Sequence, residues 1–204
     1  MTLTVFGDST SGNCLKVKWV LDRLKVDYRW TEIDVRSGLT RQAEFLAVNP
    51  SGQVPAVVLD DGRALSQSGA IIAYFAEGTD LVPADKYERA RMFEWMFWEQ
   101  YSHEPYIAVR RYQLAYLKKS PDELDPKLFE RGSAALARME TGLEDRDWLA
   151  GDALSLADVA LVAYTRMAGS GGFDLALYPK VRAWVDRVEQ ALGLDASTRD
   201  CCPN

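Results

Sequence analysis

The chain has 204 residues, 48% of them hydrophobic and 26% charged, an ordinary globular composition with room for one or two compact domains and a sizeable core. With 24 Lys and Arg against 30 Asp and Glu the formal net charge is -6, the wrong sign for a surface that tracks nucleic-acid phosphates, so no nucleic-acid partner is expected. The longest apolar runs, such as residues 70–76, are far too short to span a bilayer. No secretory leader opens the chain, and three cysteines cannot make a disulfide framework, so a reducing, cytoplasmic setting away from membranes is expected.

Residues 3–7 read as a short strand running into a small polar cluster, Asp8-Ser9-Thr10-Ser11-Gly12-Asn13. Val17, Val20, Leu21 and Leu24 then fall at i, i+3, i+4 and i+7, one apolar face of a helix. Residues 28–35 read as a second strand with imperfect alternation, which makes a βαβ unit with parallel strands and a right-handed crossover. Phe45, Leu46 and Val48 suggest a short helix stopped by Asn49-Pro50-Ser51-Gly52. Residues 56–59 and 63–65 flank Asp60-Asp61-Gly62, a hairpin signal, because Asp-Gly supplies the positive φ values of a tight turn. A helix over 68–77 follows, with Gly78 as its C-cap.

The order βαβ then ββα is that of a thioredoxin-like domain, here residues 1–79. Residues 79–85, with Pro83 and few apolar side chains, read as a linker. From 85 to 204 the pattern is all-helical, with helices expected over 87–101, 106–118, 126–146, 156–167 and 179–192. The last of these carries Val181, Trp184, Val185, Val188 and Leu192 at helical spacing. The polar stretch 195–204, which contains Cys201 and Cys202, is expected to fray. The single His103 and the scattered cysteines offer no zinc-ligand spacing, so no metal site is expected.

The run Asn49-Pro50-Ser51-Gly52-Gln53-Val54-Pro55, followed by Leu65-Ser66-Gln67-Ser68-Gly69-Ala70-Ile71, resembles the glutathione-binding signature of the cytosolic glutathione S-transferases. Ser155-Leu156-Ala157-Asp158, preceded by Leu149-Ala150-Gly151-Asp152, resembles the helix-start motif of their all-helical second domain. The resemblance covers nearly the whole chain except the tail. It implies a detoxifying transferase with glutathione as co-substrate and a small hydrophobic electrophile or disulfide as second substrate. It also implies a homodimer with one active site per subunit.

Each motif has a physical reading beside the implied one. The resemblance makes the Val54-Pro55 bond cis, turning the Val54 backbone outward to pair with the cysteinyl unit of glutathione as an added strand, with Gln53 reaching the glycyl end. Ser68 reads simply as an N-cap; the same helix end, with free N–H groups and partial positive charge, suits a carboxylate. The resemblance assigns the γ-glutamyl carboxylate to Ser68 and the γ-glutamyl amine to Gln67. The family more often carries Glu before this serine, so Gln67 removes a charge from that grip.

Ser11-Gly12-Asn13-Cys14 joins the first strand to the first helix. Ser11 or Asn13 could merely cap the helix. By resemblance, Ser11 matches the thiol-activating serine of the serine-type classes, and Asn13 matches the thiol-contacting asparagine or cysteine of some bacterial classes; both stay open. Phe6 and Gly7 cannot act where the tyrosine-type classes place their phenol, and Cys14 falls past the cysteine-type position and reads as structural. A free thiol has a pKa near ~8.5. One hydrogen bond to the charged sulfur is worth roughly 1.5–3 kcal/mol and the helix end about 0.3–1 kcal/mol, enough to lower that pKa by roughly one to three units.

The aromatic-rich stretch 92–116 is expected to build the electrophile pocket, with Trp95 and Trp98 packing between helices. The polar segment Tyr101-Ser102-His103-Glu104-Pro105-Tyr106 reads as a break between two helices and a wall of that pocket, with His103, Tyr106 and Arg110 as its candidate residues; Tyr106 and Arg110 lie one helical turn apart. Ser155 and Asp158 form a capping box of purely structural role. The alternatives to a conjugating transferase are a glutathione-dependent disulfide-bond reductase on the same fold, a non-catalytic ligand carrier or partner-binding protein, and thiol transfer through Cys14.

Overall fold

In the computed structural model, which describes residues 2–199, the apolar runs at 3–7 and 56–59 become the two central strands of a four-stranded sheet. The strands are β1 (Thr4–Gly7), β2 (Arg29–Glu32), β3 (Ala56–Val58) and β4 (Ala64–Ser66), in the spatial order β2-β1-β3-β4. β1 and β2 are parallel; β3 is antiparallel to both β1 and β4, so the βαβ-ββα reading holds. The helices are α1 (Gly12–Arg23), α2 (Ala43–Val48) and α3 (Ser68–Ala76). Strand period two sends Phe6 and Ala56 to the face where Phe45 of α2 packs with Ile33, while Val5 and Val57, both wholly buried, point to the other face. The apolar stripe of α1 (Val17, Val20, Leu21) is buried, and α1 packs on α3. The second strand is shorter than its apolar pattern suggested. Beyond Glu32 the chain turns away, and Ile33 donates its N–H to the Gly7 carbonyl at 2.8 Å.

The chain divides between Thr79 and Asp80 into two compact units. Leu81, expected in a linker, is wholly buried, and its carbonyl accepts the Leu156 N–H at 3.0 Å, so the helical unit begins before its first helix. That unit holds α4 (Lys86–Trp98), α5 (Glu104–Arg111), α6 (Pro126–Gly142), α7 (Leu156–Thr165) and α8 (Pro179–Leu192). Every residue of α7 is buried, as an all-round apolar helix requires, and α4 and α8 pack against it. No helix among the described residues is long and apolar enough to cross a membrane.

Two expectations are corrected here. The segment 99–106 is no loop. Pro105 has no N–H to give to the carbonyl one turn back, and helical bonding continues through a π turn, Glu99–His103, in which the Glu104 N–H reaches the Glu99 carbonyl. Residues 195–199 do not fray either. Arg166 donates to the Asp195 carbonyl (3.0 Å) and Thr198 Oγ1 (2.9 Å) and pairs through Nε with the buried Glu189 at 2.8 Å. Arg199 closes on Glu189 and Asp186 from the other side. The Cys201-Cys202 pair lies outside the described residues.

Candidate functional site

Sheet register brings the sequence motifs to one edge of the first unit. Phe6 pairs with Ala56, and Ala56 with Ser66, so three segments leave or enter the sheet at the same end. They are the loop after β1 (residues 8–11), the loop before β3 (residues 53–55) and the junction of β4 with α3 (Gln67, Ser68).

The loop after β1 is held by acceptors that sequence reasoning missed. The buried Asp8 carboxylate accepts the Thr10 N–H (2.8 Å), the Thr10 hydroxyl (2.6 Å) and the Val35 N–H (3.0 Å), and its carbonyl accepts the Ser11 N–H at 3.0 Å. Glu32 accepts the Ser9 N–H at 2.8 Å and the Trp30 indole N–H at 2.6 Å. The Trp30 ring passes so near Gly7 that a Cβ there would lie 2.4 Å from it, which fixes glycine at the strand's last residue. Asp8 is legible afterwards as an Asx turn, Asp-Ser-Thr, whose side chain bonds two residues on.

Ser11 is the N-cap of α1, in extended backbone, but its side chain makes no capping bond. It meets the sulfur of Cys14 instead. The first turn of α1 holds no acidic residue of its own to offset the partial positive charge of that end; the carboxylates that reach it, Asp8 and Glu32, come from the loop and strand beside it. Asn13, in the same turn, presents Oδ1 to two donors: the Lys16 ammonium at 2.8 Å and the Ser68 hydroxyl at 3.1 Å. Lys16 is only 1% exposed. Asn13 and Ser68, 55 positions apart, thus join the N-termini of α1 and α3. Ser68 is not the N-cap that sequence suggested. Gln67 occupies that position, at φ 70°, a left-handed conformation that a glutamine adopts only when its surroundings impose it, and the Gln67 carbonyl accepts the Ile71 N–H at 3.0 Å.

The loop before β3 is organised by Asn49, also missed. Its amide donates to the Gln53 carbonyl at 2.7 Å and its Oδ1 accepts the Ser51 N–H (3.2 Å) and hydroxyl (2.8 Å). The Val54-Pro55 bond is cis. Gln53 is exposed, Val54 half-buried and Pro55 buried. Among the described residues none pairs with the Val54 backbone N–H or carbonyl.

Cys14 is wholly buried, which pushes its thiol up to about 11 from an ordinary value of 9.0; the Asp8 N–H and the Ser11 side chain pull the other way. A thiol so placed is neither accessible nor ionised at neutral pH, and thiol transfer through Cys14 is set aside. The raised value also has a stability consequence. The native state holds this proton more tightly than the unfolded chain, so the contribution is complete below about pH 9 and is lost as pH rises through about 11. Alkaline urea titrations should show roughly 2–3 kcal/mol less of this loss in Cys14→Ala than in the parent protein; parallel curves would refute the burial argument.

In the helical unit the three expected pocket residues part ways. His103 is wholly buried. Its Nε2 lies 2.9 Å from Thr165 Oγ1; because that hydroxyl donates to the Leu161 carbonyl at 2.8 Å, Nε2 carries the proton and donates. Its Nδ1 faces Glu99 at 4.0 Å. Arg110 is also buried, donating from Nε to the Gly171 carbonyl at 2.8 Å with its guanidinium 5.1 Å over the Phe129 ring. Neither residue reaches an open surface, so both leave the pocket assignment; they tie α5 and the π turn to the core. Tyr106 alone lines an open hollow, of about 280 Å³, whose walls include Trp98 and two residues that sequence reasoning missed, Arg131 and Arg138. Trp95 is buried against Gly142 of α6, as expected, and meets Trp98 edge-on at 5.2 Å within α4; Trp98, expected to pack between helices, instead lines the hollow.

Ser155 and Asp158 form the expected capping box, and the wholly buried Asp158 carboxylate also accepts the Leu149 N–H at 3.0 Å and the Trp184 indole N–H at 2.8 Å.

Comparison with known proteins gives a consistent picture. Residues 10–77 match the family model for the glutathione S-transferase N-terminal domain, and residues 94–191 that for the C-terminal domain. The disulfide-bond oxidoreductase YfcG of Escherichia coli strain K12 is 30% identical over 184 residues, which cover 85% of this chain and 84% of that protein. A glutathione S-transferase of Xanthobacter autotrophicus Py2 superposes with a TM-score of 0.90 at 45% identity, over 95% of this chain and 96% of the other. A possible glutathione S-transferase of Rhodopseudomonas palustris does so with a TM-score of 0.91 at 40% identity, over 100% of both.

Proposed function

We propose that this protein, which belongs to the glutathione S-transferase family, binds glutathione at the loop-and-helix edge of its first unit and activates the bound thiol for attack on a small electrophile. The observation that carries the reading is the Asn13–Ser68 hydrogen bond, which sets two helix N-termini side by side at the sheet edge that also presents the unpaired Val54 backbone. An extended tripeptide suits that edge. Its cysteinyl unit adds to Val54 as a strand, its γ-glutamyl carboxylate goes to Ser68 and the N-terminal amides of α3, and Gln53 and Gln67 meet its two ends. The sulfur then comes to the start of α1, where the Ser11 hydroxyl donates to it and the helix end favours its negative charge. The thiolate attacks an electrophilic carbon, the carbon–sulfur bond forms, and the leaving group departs with the displaced electron pair. Tyr106 remains the candidate residue for contact with the second substrate.

Binding is tested by calorimetric titration of the intact protein with glutathione. Ser68→Ala should weaken it by about tenfold or more, the scale of a lost hydrogen bond to a charged group. No heat of binding at millimolar glutathione in the parent protein refutes the reading and leaves a carrier that has lost the tripeptide.

The second reading is reduction of disulfides, in which the same thiolate attacks sulfur and one thiol is released. It is favoured by the similarity to a protein named a disulfide-bond oxidoreductase and by the burial of Cys14, which leaves the sulfur of glutathione as the nucleophile. Turnover of an aryl halide against that of a small mixed disulfide ranks the two. A homodimer in the cytoplasm completes the proposal. Tyr87 and Phe97, exposed along α4, offer an aromatic surface for a second copy, and sedimentation velocity measures it.

A further inference from the structure

Asp8 carries a carboxylate that is only 5% exposed and pairs with no cation among the described residues. Burying a charge that way is costly, and a simple Asx turn does not require it, because one side-chain oxygen is enough and asparagine supplies one without a charge. Asp8 uses both oxygens. Oδ1 accepts the Thr10 N–H at 2.8 Å and the Thr10 hydroxyl at 2.6 Å, while Oδ2 accepts the Val35 N–H at 3.0 Å, from the chain just past the end of β2. An asparagine has a single acceptor oxygen and could not hold both segments. The carboxylate thus ties the loop after β1 to the loop after β2.

The backbone of Asp8 governs Ser11. Its carbonyl accepts the Ser11 N–H at 3.0 Å and closes the turn 8–11, and its own N–H meets the Cys14 sulfur that the Ser11 side chain also meets. Glu32 braces the middle of the turn through the Ser9 N–H at 2.8 Å. Ser11 stands in extended backbone (φ -83°, ψ 121°) at the head of α1 and spends no side-chain bond on the helix, so the direction of its hydroxyl follows from the turn that delivers it.

From this arrangement we propose that Asp8 is a positioning residue of the thiol site: its carboxylate fixes the turn that aims the Ser11 hydroxyl at the sulfur of bound glutathione. The inference rests on the glutathione reading above and deepens it by naming what holds the donor in place. Charge and geometry act on the bound thiol in opposite directions here. A nearby carboxylate opposes thiolate formation, whereas a well-aimed hydroxyl favours it. Deleting the charge of Asp8 alone would therefore make the thiol more acidic, and losing the aim of Ser11 makes it less acidic. The other ionisable groups at this end, Glu32 on β2 and Cys14 and Lys16 on α1, are the same in every variant below.

The test is a pH titration of the thiolate ultraviolet absorbance of the intact protein saturated with glutathione, as a difference against the glutathione-free protein, which removes the signal of Cys14. Binding is first established by calorimetry. Ser11→Ala should raise the bound thiol's pKa, and Asp8→Asn, which deletes the charge and one acceptor at constant shape, should raise it by roughly 0.5–1 unit, a three- to tenfold loss of thiolate at a given pH. In the Ser11→Ala background Asp8→Asn should give no further rise, because only the charge effect is left. A pKa that falls or stays put in Asp8→Asn, while Ser11→Ala raises it, overturns the role of Asp8 alone. An equal rise in both backgrounds shows that Asp8 does not act through Ser11 and overturns it too. No movement in Ser11→Ala, or no glutathione binding by the parent protein, refutes the underlying reading and this inference with it. If Asp8→Asn does not fold, Thr10→Val decides: it removes only the hydroxyl donor from Oδ1 and should raise the pKa by a smaller amount, and an unmoved pKa overturns the proposal.

Discussion

Ser11→Ala should lower turnover at saturating glutathione by about ten- to a hundredfold, the kinetic equivalent of one hydrogen bond to a charged sulfur. The reason is local. The Ser11 side chain spends nothing on capping α1, and the Cys14 thiol beside it is held protonated by burial. The Ser11 hydroxyl turns to the buried Cys14 sulfur, a weak acceptor while protonated, and a ligand thiolate at the helix start would draw that O–H to itself. Removing that donor should return the bound thiol toward its solution pKa near ~8.5, so the ascending limb of the pH–rate profile should move up by roughly one to two units. Asn13→Ala should behave differently. Its Oδ1 holds Ser68 and Lys16, so its loss should chiefly raise the KM for glutathione. Unchanged turnover and an unmoved pH profile in Ser11→Ala would transfer the thiol contact to the Asn13 amide.

What the sequence disclosed, and what it withheld, divides along a physical line. Period-two and period-3.6 patterns placed β1, α1, the hairpin at Gly62 and α8, because the face an element buries is written in its own side-chain spacing whatever distant element it packs against. The short motifs placed Gln53, Val54, Pro55, Gln67 and Ser68 at their junctions for the same reason: turn and cap chemistry is local. Missing were the polar residues whose partners lie far along the chain. His103 reads as a site residue until Thr165, 62 positions away, takes its proton donor. Arg110 finds the Gly171 carbonyl at a separation of 61. Arg131 and Arg138 read as ordinary surface charges on α6, because nothing in their own helix announces the rings of Tyr106 and Trp98. A lone proline, Pro105, looked like a break, yet one missing N–H widens a helix by a residue more easily than it ends one when both flanks are anchored by buried side chains such as Glu99 and Ile107.

The largest stability effect should come from Asp158→Ala. Its carboxylate has no exposure at all, and burial pushes its carboxyl above the usual range against the pull of its donors. Both oxygens serve as acceptors. One takes the Leu149 N–H and the Trp184 indole N–H; the other takes the Ser155 N–H at 2.9 Å and the Ser155 hydroxyl at 2.9 Å. The alanine variant orphans three N–H groups in a site with no room for bulk water, besides opening a cavity. A loss of about 3–5 kcal/mol is expected, with Tm lower by roughly 10 °C. Asp158→Asn should fall between, because either orientation of the amide turns N–H toward N–H and keeps only one acceptor. Ser155→Ala, which deletes one donor and leaves the acceptor with three, should cost only about 1 kcal/mol. Thermal and urea melts of the three variants test this order. An alanine variant no weaker than Ser155→Ala would mean that the carboxylate is a passenger in the capping box rather than the point to which α7, α8 and the loop at Leu149 are bound.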